Sequence, residues 1–220
     1  MEGWKLIGQL QAAILHLAEV CKKSQIEAFA ILEWMVGEGR EVVEKEFWTP
    51  LIARFRETRR FEVVDKMTIR VNLSAAPRPP FDGAVVENIP KGKGWVTVKR
   101  ERDDLFVDGK KIILPLSESQ KGDKTIVGSE LRKEVEKKPV LHPNIMDALI
   151  EAAPHLIPDS WKENEDGETL YIFFWDVIFR GAVSPLCVRC FYWRAGAWRR
   201  YCSGLDYDFL RQNPAAQLAS

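Results

Sequence analysis

Apolar positions in the first 58 residues recur at three- and four-residue steps, the spacing of amphipathic helices. Residues 4–22 are predicted to form one helix, and Ser24 begins a second through a capping box with Glu27. A third helical pattern runs from about Glu41 to Thr58. Three such helices with short connections predict a small helical bundle.

The apolar pattern changes at Phe61 to the two-residue alternation of strands. Residues 61–64 and 67–73 are predicted strands, and Asp108-Gly109 is typical of a two-residue hairpin turn. Pro143 suits the first position of a short helix, and His142 before it is a candidate cap. The chain after residue 60 is therefore predicted to be rich in strands with short helices between them.

Residues 168–204 are the most apolar stretch of the chain and are predicted to form an antiparallel meander. Residues 171–179 are apolar at nearly every position, as a central strand would be. Residues 186–194 and 197–203 follow as strands, joined by a tight turn at Ala195-Gly196. The predicted fold class is α+β: an N-terminal three-helix bundle over residues 1–60, then a β-rich domain over residues 61–220.

Several short stretches after residue 70 resemble an uncharacterised family of small proteins predicted from genomes of candidate-phylum bacteria. The similar stretches are Arg70–Leu73, Gly94–Val98, Leu131–Glu134, Lys138–Val140, His155–Pro158, Tyr171–Trp175 and Asn213–Ser220. The resemblance covers about residues 70–220 and implies no activity, cofactor or catalytic residue. Where that family often has an acidic turn after the tryptophan, this chain has residues 176–184 with no such turn.

Charge and cysteine content restrict the classes of protein that this chain can represent. The chain has 220 residues with 32 basic and 32 acidic side chains, so its formal net charge is zero, unlike that of a bulk polycation. Four cysteines are too few and too scattered for a disulfide scaffold. No secretory signal or membrane-length apolar run is visible, so a cytoplasmic protein without a membrane partner is expected.

No catalytic or metal-binding constellation is evident in the sequence. Cys187 and Cys190 have the spacing of a zinc knuckle, but residues three apart on a strand point to opposite faces. The three histidines lack any ligand spacing, although a His–Cys nucleophile pair formed in space stays open. Lys91–Gly94 resembles only part of a phosphate-binding loop. We therefore expect no metal, no cofactor and no catalytic residue.

The predicted hairpin at residues 186–203 carries the most specific functional signal. Residues 181–203 contain four arginines and five aromatic residues but no acid. With a turn at Ala195-Gly196, Trp193 and Trp198 face each other on one side of the hairpin. The other side shows the residues predicted to bind a partner: Tyr192, Arg194, Arg199 and Tyr201. Arginine and tyrosine are typical of binding hot spots, so a non-catalytic recognition module for a protein partner is the favoured interpretation.

Two other interpretations remain open. One is a nucleic-acid-binding protein that uses the arginines of the hairpin and those of the third helix, Arg54, Arg56, Arg59 and Arg60. The other is an enzyme whose site cannot be read from sequence. If one face of the hairpin is simply part of the core, the arginines on that face need acid partners, for which Asp176, Asp206 and Asp208 are the sequence candidates.

Overall fold

The computed structural model describes residues 59–122, 124–181 and 186–219. All of these belong to one compact unit, Glu57–Ser220. The predicted three-helix bundle lies outside the described residues. The strands are β1 (Phe61–Asp65), β2 (Thr68–Asn72), β3 (Val85–Val86), β4 (Trp95–Glu101), β5 (Asp104–Val107), β6 (Lys110–Ile113), β7 (Ile126–Val127), β8 (Ile172–Arg180), β9 (Leu186–Arg194), β10 (Ala197–Gly204), β11 (Asp208–Phe209) and β12 (Gln217–Leu218).

The predicted α+β class is wrong, because strands dominate the structure. Within the described ranges there are three sheets and only two α-helices, α1 (Gly128–Val135) and α2 (Pro143–Ala152). Short 3-10 turns occupy Glu118–Gln120, Pro154–Leu156 and Asp159–Trp161. Most of the helices predicted from the sequence lie before residue 59. The two helices of the described ranges are short, and most of the regular structure there is strand.

Two antiparallel sheets make up most of the fold. The six-stranded sheet has the order β1-β2-β4-β5-β6-β12, and the four-stranded sheet has the order β10-β9-β8-β3. A small pair, β11-β7, forms the third. Asp108 and Gly109 have φ values of 48° and 78°, which gives the predicted tight turn between β5 and β6.

The main core lies between the two large sheets and includes α2. Ile69 of β2, Leu149 of α2 and Phe174 of β8 belong to one cluster of buried apolar side chains. The side chain of Asn144 ties the start of α2 to the chain after β2, donating to the carbonyls of Asn72 at 2.9 Å and Ala75 at 2.8 Å. Helix α2 thus covers one face of the four-stranded sheet.

The other face of the four-stranded sheet is also covered along most of its length. Leu131 of α1 and Phe209 of β11 pack with Phe173, Trp175 and other side chains from that face. Strand β8 is consequently buried at every position except its last, as its continuous apolar pattern predicts.

A bulge interrupts β8 at its centre. Phe174 pairs with Arg189 and Ile178 pairs with Val188, so three residues of β8 have no partner on β9. The side chain of Asn88 brackets this bulge: it donates to the carbonyl of Asp176 at 2.9 Å and accepts from the amide of Ile178 at 2.6 Å. Asn88 thus satisfies two of the backbone groups at the bulge, and the amide of Asp176 donates to the carbonyl of Leu141 at 3.3 Å.

Truncation of the core should be costly where α2 meets the sheets. We expect Leu149→Ala, at a fully buried position, to lower the free energy of unfolding by about 2–5 kcal/mol through lost burial and a residual cavity. Ile89→Ala is the matched control, because Ile89 is 87% exposed, and it should change stability by less than about 0.5 kcal/mol. Urea unfolding of both variants measures the difference, and equal effects would contradict this assignment of the core.

Candidate functional site

The hairpin of β9 and β10 has the register that its turn and alternation predict. Ala195 and Gly196 form the turn with φ values of 50° and 76°, and Arg194 pairs with Ala197. Trp193 and Trp198 are opposite each other with ring centroids 5.4 Å apart. Trp198 is buried and Trp193 half-buried, so both face the core.

The outer face of the hairpin consists of Tyr192, Arg194, Arg199 and Tyr201. Arg194, Arg199 and Tyr201 are exposed, and Tyr192 is half-buried. The cover over this side of the sheet reaches Val188 and Cys190 but does not extend to these four residues. Their exposure follows from the predicted register, whereas their binding of a partner stays a prediction.

Tyr171 joins the outer face from the residue just before β8. Its ring stacks on that of Tyr192 with centroids 4.7 Å apart and meets Tyr201 edge to face at 6.5 Å. Sequence reasoning missed this residue, because it lies fifteen positions before the start of the hairpin at Leu186 and only strand pairing brings it there. The packed rings hold one another in place, so ordering them on contact with a partner costs little entropy.

The two outer-face arginines have no partners in the described part of the chain. Neither Arg194 nor Arg199 makes a side-chain hydrogen bond, an ion pair or a ring contact there. By contrast, Arg180 on β8 makes a bidentate pair with Glu87, donating from Nε at 2.7 Å and from Nη2 at 2.6 Å. Two adjacent strands therefore present two uncommitted guanidinium groups beside a tyrosine cluster.

The inner-face arginines are committed to acids of α2. Arg189 is 2% exposed and makes a bidentate pair with Asp147, with N–O distances of 2.7 and 2.8 Å. Arg200 donates to Asp147 at 2.9 Å and to Glu151 at 2.6 Å. Arg78 also pairs with Glu151, at 2.6 Å. Asp147 and Glu151 are four residues apart, so both lie on the same side of α2.

The sequence candidates for these acid partners were wrong. Asp206 and Asp208 are exposed and make no ion pair within the described ranges. Asp176 lies in the bulge of β8, where its carboxylate accepts from the amides of Lys91 at 2.8 Å and Gly92 at 2.9 Å. The i,i+4 spacing of two acids on an otherwise apolar helix was the signal that could have identified Asp147 and Glu151.

The loop at Lys91–Gly94 is therefore not arranged to cradle a phosphate. The amides of Lys91 and Gly92 already donate to Asp176, and the amide of Gly94 donates to Ser74 Oγ at 2.8 Å. A Cβ on Gly92 would come within 2.8 Å of Leu73 and 3.1 Å of the Asp176 carboxylate. A side chain at this position would have to displace the end of the Leu73 side chain and crowd the Asp176 carboxylate, so the small size of glycine suits this close approach.

The three cysteines of the hairpin pack against apolar side chains. Cys187 and Cys190 contribute to different apolar clusters on opposite faces of β9. A hydrogen bond from Cys202 lowers the pKa of Cys187 and raises that of Cys202, while burial raises the pKa of Cys190. Within the described residues, no three side chains of the histidine, cysteine or acidic types come together as metal ligands.

His142 caps α2 from a buried position. It is 2% exposed, and its Nδ1 accepts from the amide of Asn144 at 3.1 Å. Burial lowers the pKa of His142 to about 4, against the opposing influence of Asp176 and Asp147. The imidazole is thus neutral near pH 7 and serves as the helix cap.

A cavity of about 520 Å³ lies on the inner side of the hairpin turn, lined by Trp193, Trp198, Ile150, Arg100 and Lys162 among others. Its cations are already engaged: Lys162 pairs with Asp159 at 2.6 Å and lies 4.3 Å from the centre of the Trp193 ring. Arg100 donates to the carbonyls of Arg102 and His155. The cavity lining thus combines tryptophan rings with charged side chains that are already engaged by other groups.

Comparison with known proteins gives no further assignment. No family model, curated protein or solved structure matches this chain. Among the described residues, no helix has both the length and the apolar character needed to cross a membrane. The candidate site is thus defined by its own geometry.

Breaking the buried ion pair should destabilise the fold strongly. We expect Asp147→Asn to lower the free energy of unfolding by about 3–5 kcal/mol, because Arg189 would keep its charge in a buried place without a counter-charge. Glu87→Gln, which breaks the exposed pair with Arg180, serves as the control and should have a much smaller effect. The free energy of unfolding of both variants is measured by chemical denaturation. Equal losses would contradict a larger role for the buried pair than for the exposed one.

The depressed pKa of His142 should make stability depend on pH. Since the unfolded imidazole has a pKa of 6.5 and the folded one a pKa of about 4, the unfolded chain binds more protons between these values. Stability is therefore lost as pH falls from 6.5 to 4, by about 3 kcal/mol from this group. His142→Asn keeps an oxygen acceptor for the cap and removes the titration, so its stability should fall less over this range. Parallel profiles for the two proteins would contradict the assignment.

Proposed function

We propose that this protein is a non-catalytic recognition module that binds an acidic segment of a partner protein through the outer face of its hairpin. One observation carries the proposal: Arg194 and Arg199 lie exposed, with no acid partner among the described residues, beside the packed rings of Tyr171, Tyr192 and Tyr201. The free cysteines fit a reducing compartment, so we place the protein in the cytoplasm.

The chemistry of this face suits protein recognition. Tyrosine and arginine contribute large contact area and directed hydrogen bonds, and both are enriched among residues that dominate binding energy. The guanidinium group forms paired, charge-assisted hydrogen bonds with carboxylates. Because the rings and strands are already ordered, the face is organised before a partner arrives.

Charge favours an acidic partner. Residues 181–203 contain no acid, and the inner-face arginines already have Asp147 and Glu151. Arg194 and Arg199 therefore add a local positive field that nothing on the same hairpin cancels. A segment rich in aspartate or glutamate would form charge-assisted hydrogen bonds with these two guanidinium groups.

Nucleic acid is the competing partner class, and the structure offers it less support. Tyr192 uses one ring face to stack on Tyr171, which removes that face from contact with a base. Of the other predicted phosphate ligands, Arg59 lies 3.9 Å from Glu62 and Arg60 is half-buried, whereas Arg54 and Arg56 fall outside the described residues. The zero net charge of the chain also disfavours binding driven by phosphates.

Binding should be selective for negative charge and should depend on the outer-face arginines. The probes are synthetic peptides of equal length and equal aromatic content that differ only in net charge. We expect the full chain to bind the acidic peptides and not the basic ones. Arg194→Ala with Arg199→Ala should weaken binding at least tenfold, since each lost charge-assisted hydrogen bond contributes about 1.5–3 kcal/mol.

The control variant is Lys110→Ala with Lys137→Ala, which removes two exposed cations whose side chains make no hydrogen bond or ion pair in the described structure. It should bind like the wild type, and both double variants should keep their thermal midpoints within a few degrees. Unchanged binding by the arginine variant would refute the proposal. Tight, strongly salt-dependent binding of a single-stranded oligonucleotide instead would identify nucleic acid as the partner class.

A further inference from the structure

Strand β10 forms one edge of the four-stranded sheet. Among the described residues, the sheet order places β9 on one side of β10 and no strand on the other. It is eight residues long, from Ala197 to Gly204, and is paired with β9 along its whole length. An edge of this length with no proline is a template on which another strand can pair.

The turn determines which backbone groups of β10 are free. In a hairpin with a two-residue turn, the residues flanking the turn form a hydrogen-bonded pair, here Arg194 and Ala197. Hydrogen-bonded and non-hydrogen-bonded pairs then alternate along an antiparallel ladder. The N–H and C=O groups of Trp198, Arg200 and Cys202 therefore point away from β9.

These outward groups are uncommitted in the described part of the chain. None of the three residues has a backbone hydrogen bond outside the ladder with β9. Arg199, which lies between Trp198 and Arg200 in the same strand, places its side chain on the outer face and has no acid partner among the described residues. Backbone pairing and charge pairing are thus both available along the same strand.

The β10 edge of a second copy is a poor occupant of this edge. Strand β10 carries Arg199 and Arg200 and no acidic residue, so pairing with another β10 would place like charges along the shared edge. An acidic strand would instead place carboxylates opposite Arg199. Charge complementarity therefore selects a partner segment of opposite sign.

We propose that an extended acidic segment of a partner protein adds to β10 as a fifth strand of this sheet; this inference rests on the proposed function and specifies its binding mode. The segment's backbone hydrogen-bonds to Trp198, Arg200 and Cys202. Its outward side chains are acidic and lie beside Arg199. Its inward side chains are apolar and lie on the side of Trp198, which is buried and lines the cavity together with Ile150. Recognition thus requires alternating acidic and apolar residues.

The test uses an end-blocked synthetic peptide of alternating valine and glutamate, with a peptide of the same composition in two blocks as its control. Two further versions of the alternating peptide carry N-methyl groups, one on the odd-numbered amides and the other on the even-numbered amides. Only one of these sets can face β10, because successive amides of a strand point in opposite directions. Fluorescence anisotropy with the full-length protein should show that one N-methylated peptide loses binding at least tenfold and the other binds like the parent. The block control should bind at least tenfold more weakly.

Hydrogen exchange supplies a second readout on the protein itself. The amides of Trp198, Arg200 and Cys202 should exchange at least tenfold more slowly when the alternating peptide is bound. Cys202→Pro removes one outward amide and should weaken binding, whereas Cys202→Ala keeps that amide and should bind like the wild type. The N-methylated pair decides the question even where the proline variant does not fold.

The possible failures separate the binding mode from the function. Equal loss or equal retention by the two N-methylated peptides overturns strand addition, even where charge-selective binding through Arg194 and Arg199 persists. Tighter binding of the block peptide than of the alternating one also overturns it. If no acidic peptide of any pattern binds, both the proposed function and this inference fail.

Discussion

The bidentate pair between Asp147 and Arg189 is the interaction on which the rest of this structure depends. Arg189 lies in the middle of β9, in a sheet that is covered on both faces, and its charge has no access to water. Asp147 supplies the counter-charge from α2, which fixes where that helix sits on the sheet. Removal of a charge from water is costly unless its partner is well placed, so helix and sheet must dock in one register.

That docking also decides which arginines stay available. Asp147 and Glu151 satisfy Arg189, Arg200 and Arg78, all on the inner side of the hairpin. On the opposite side, α1 and β11 cover the sheet only as far as Cys190. The uncovered end of the hairpin therefore holds the two uncommitted guanidinium groups. Side chains alternate between the two faces of a strand, which places the ion-paired arginines on the inner face and Arg194 and Arg199 on the outer face. The outer pair stays exposed because α1 and β11 do not extend over it.

Local chemistry was readable from the sequence, and long-range pairing was not. The turns at Asp108-Gly109 and Ala195-Gly196 follow from residues that tolerate positive φ, and the hairpin register follows from its turn. The fold class was wrong because helical periodicity before residue 59 outweighed short strands that only pairing makes visible. The acid partners were wrong because Asp147 is 42 residues from Arg189, and nothing local joins them. Tyr171 escaped notice for the same reason.

The bulge in β8 has a consequence for how the length of this strand can vary. Three unpaired residues between Phe174 and Ile178 invert the alternation, so Ile178 faces the side opposite to that of Phe174. Cross-strand partners share a face of the sheet, so Val188 fixes the side of Ile178 whatever the number of unpaired residues before it. The bulge can therefore absorb a change in the length of β8 while the pairs on either side of it keep their faces.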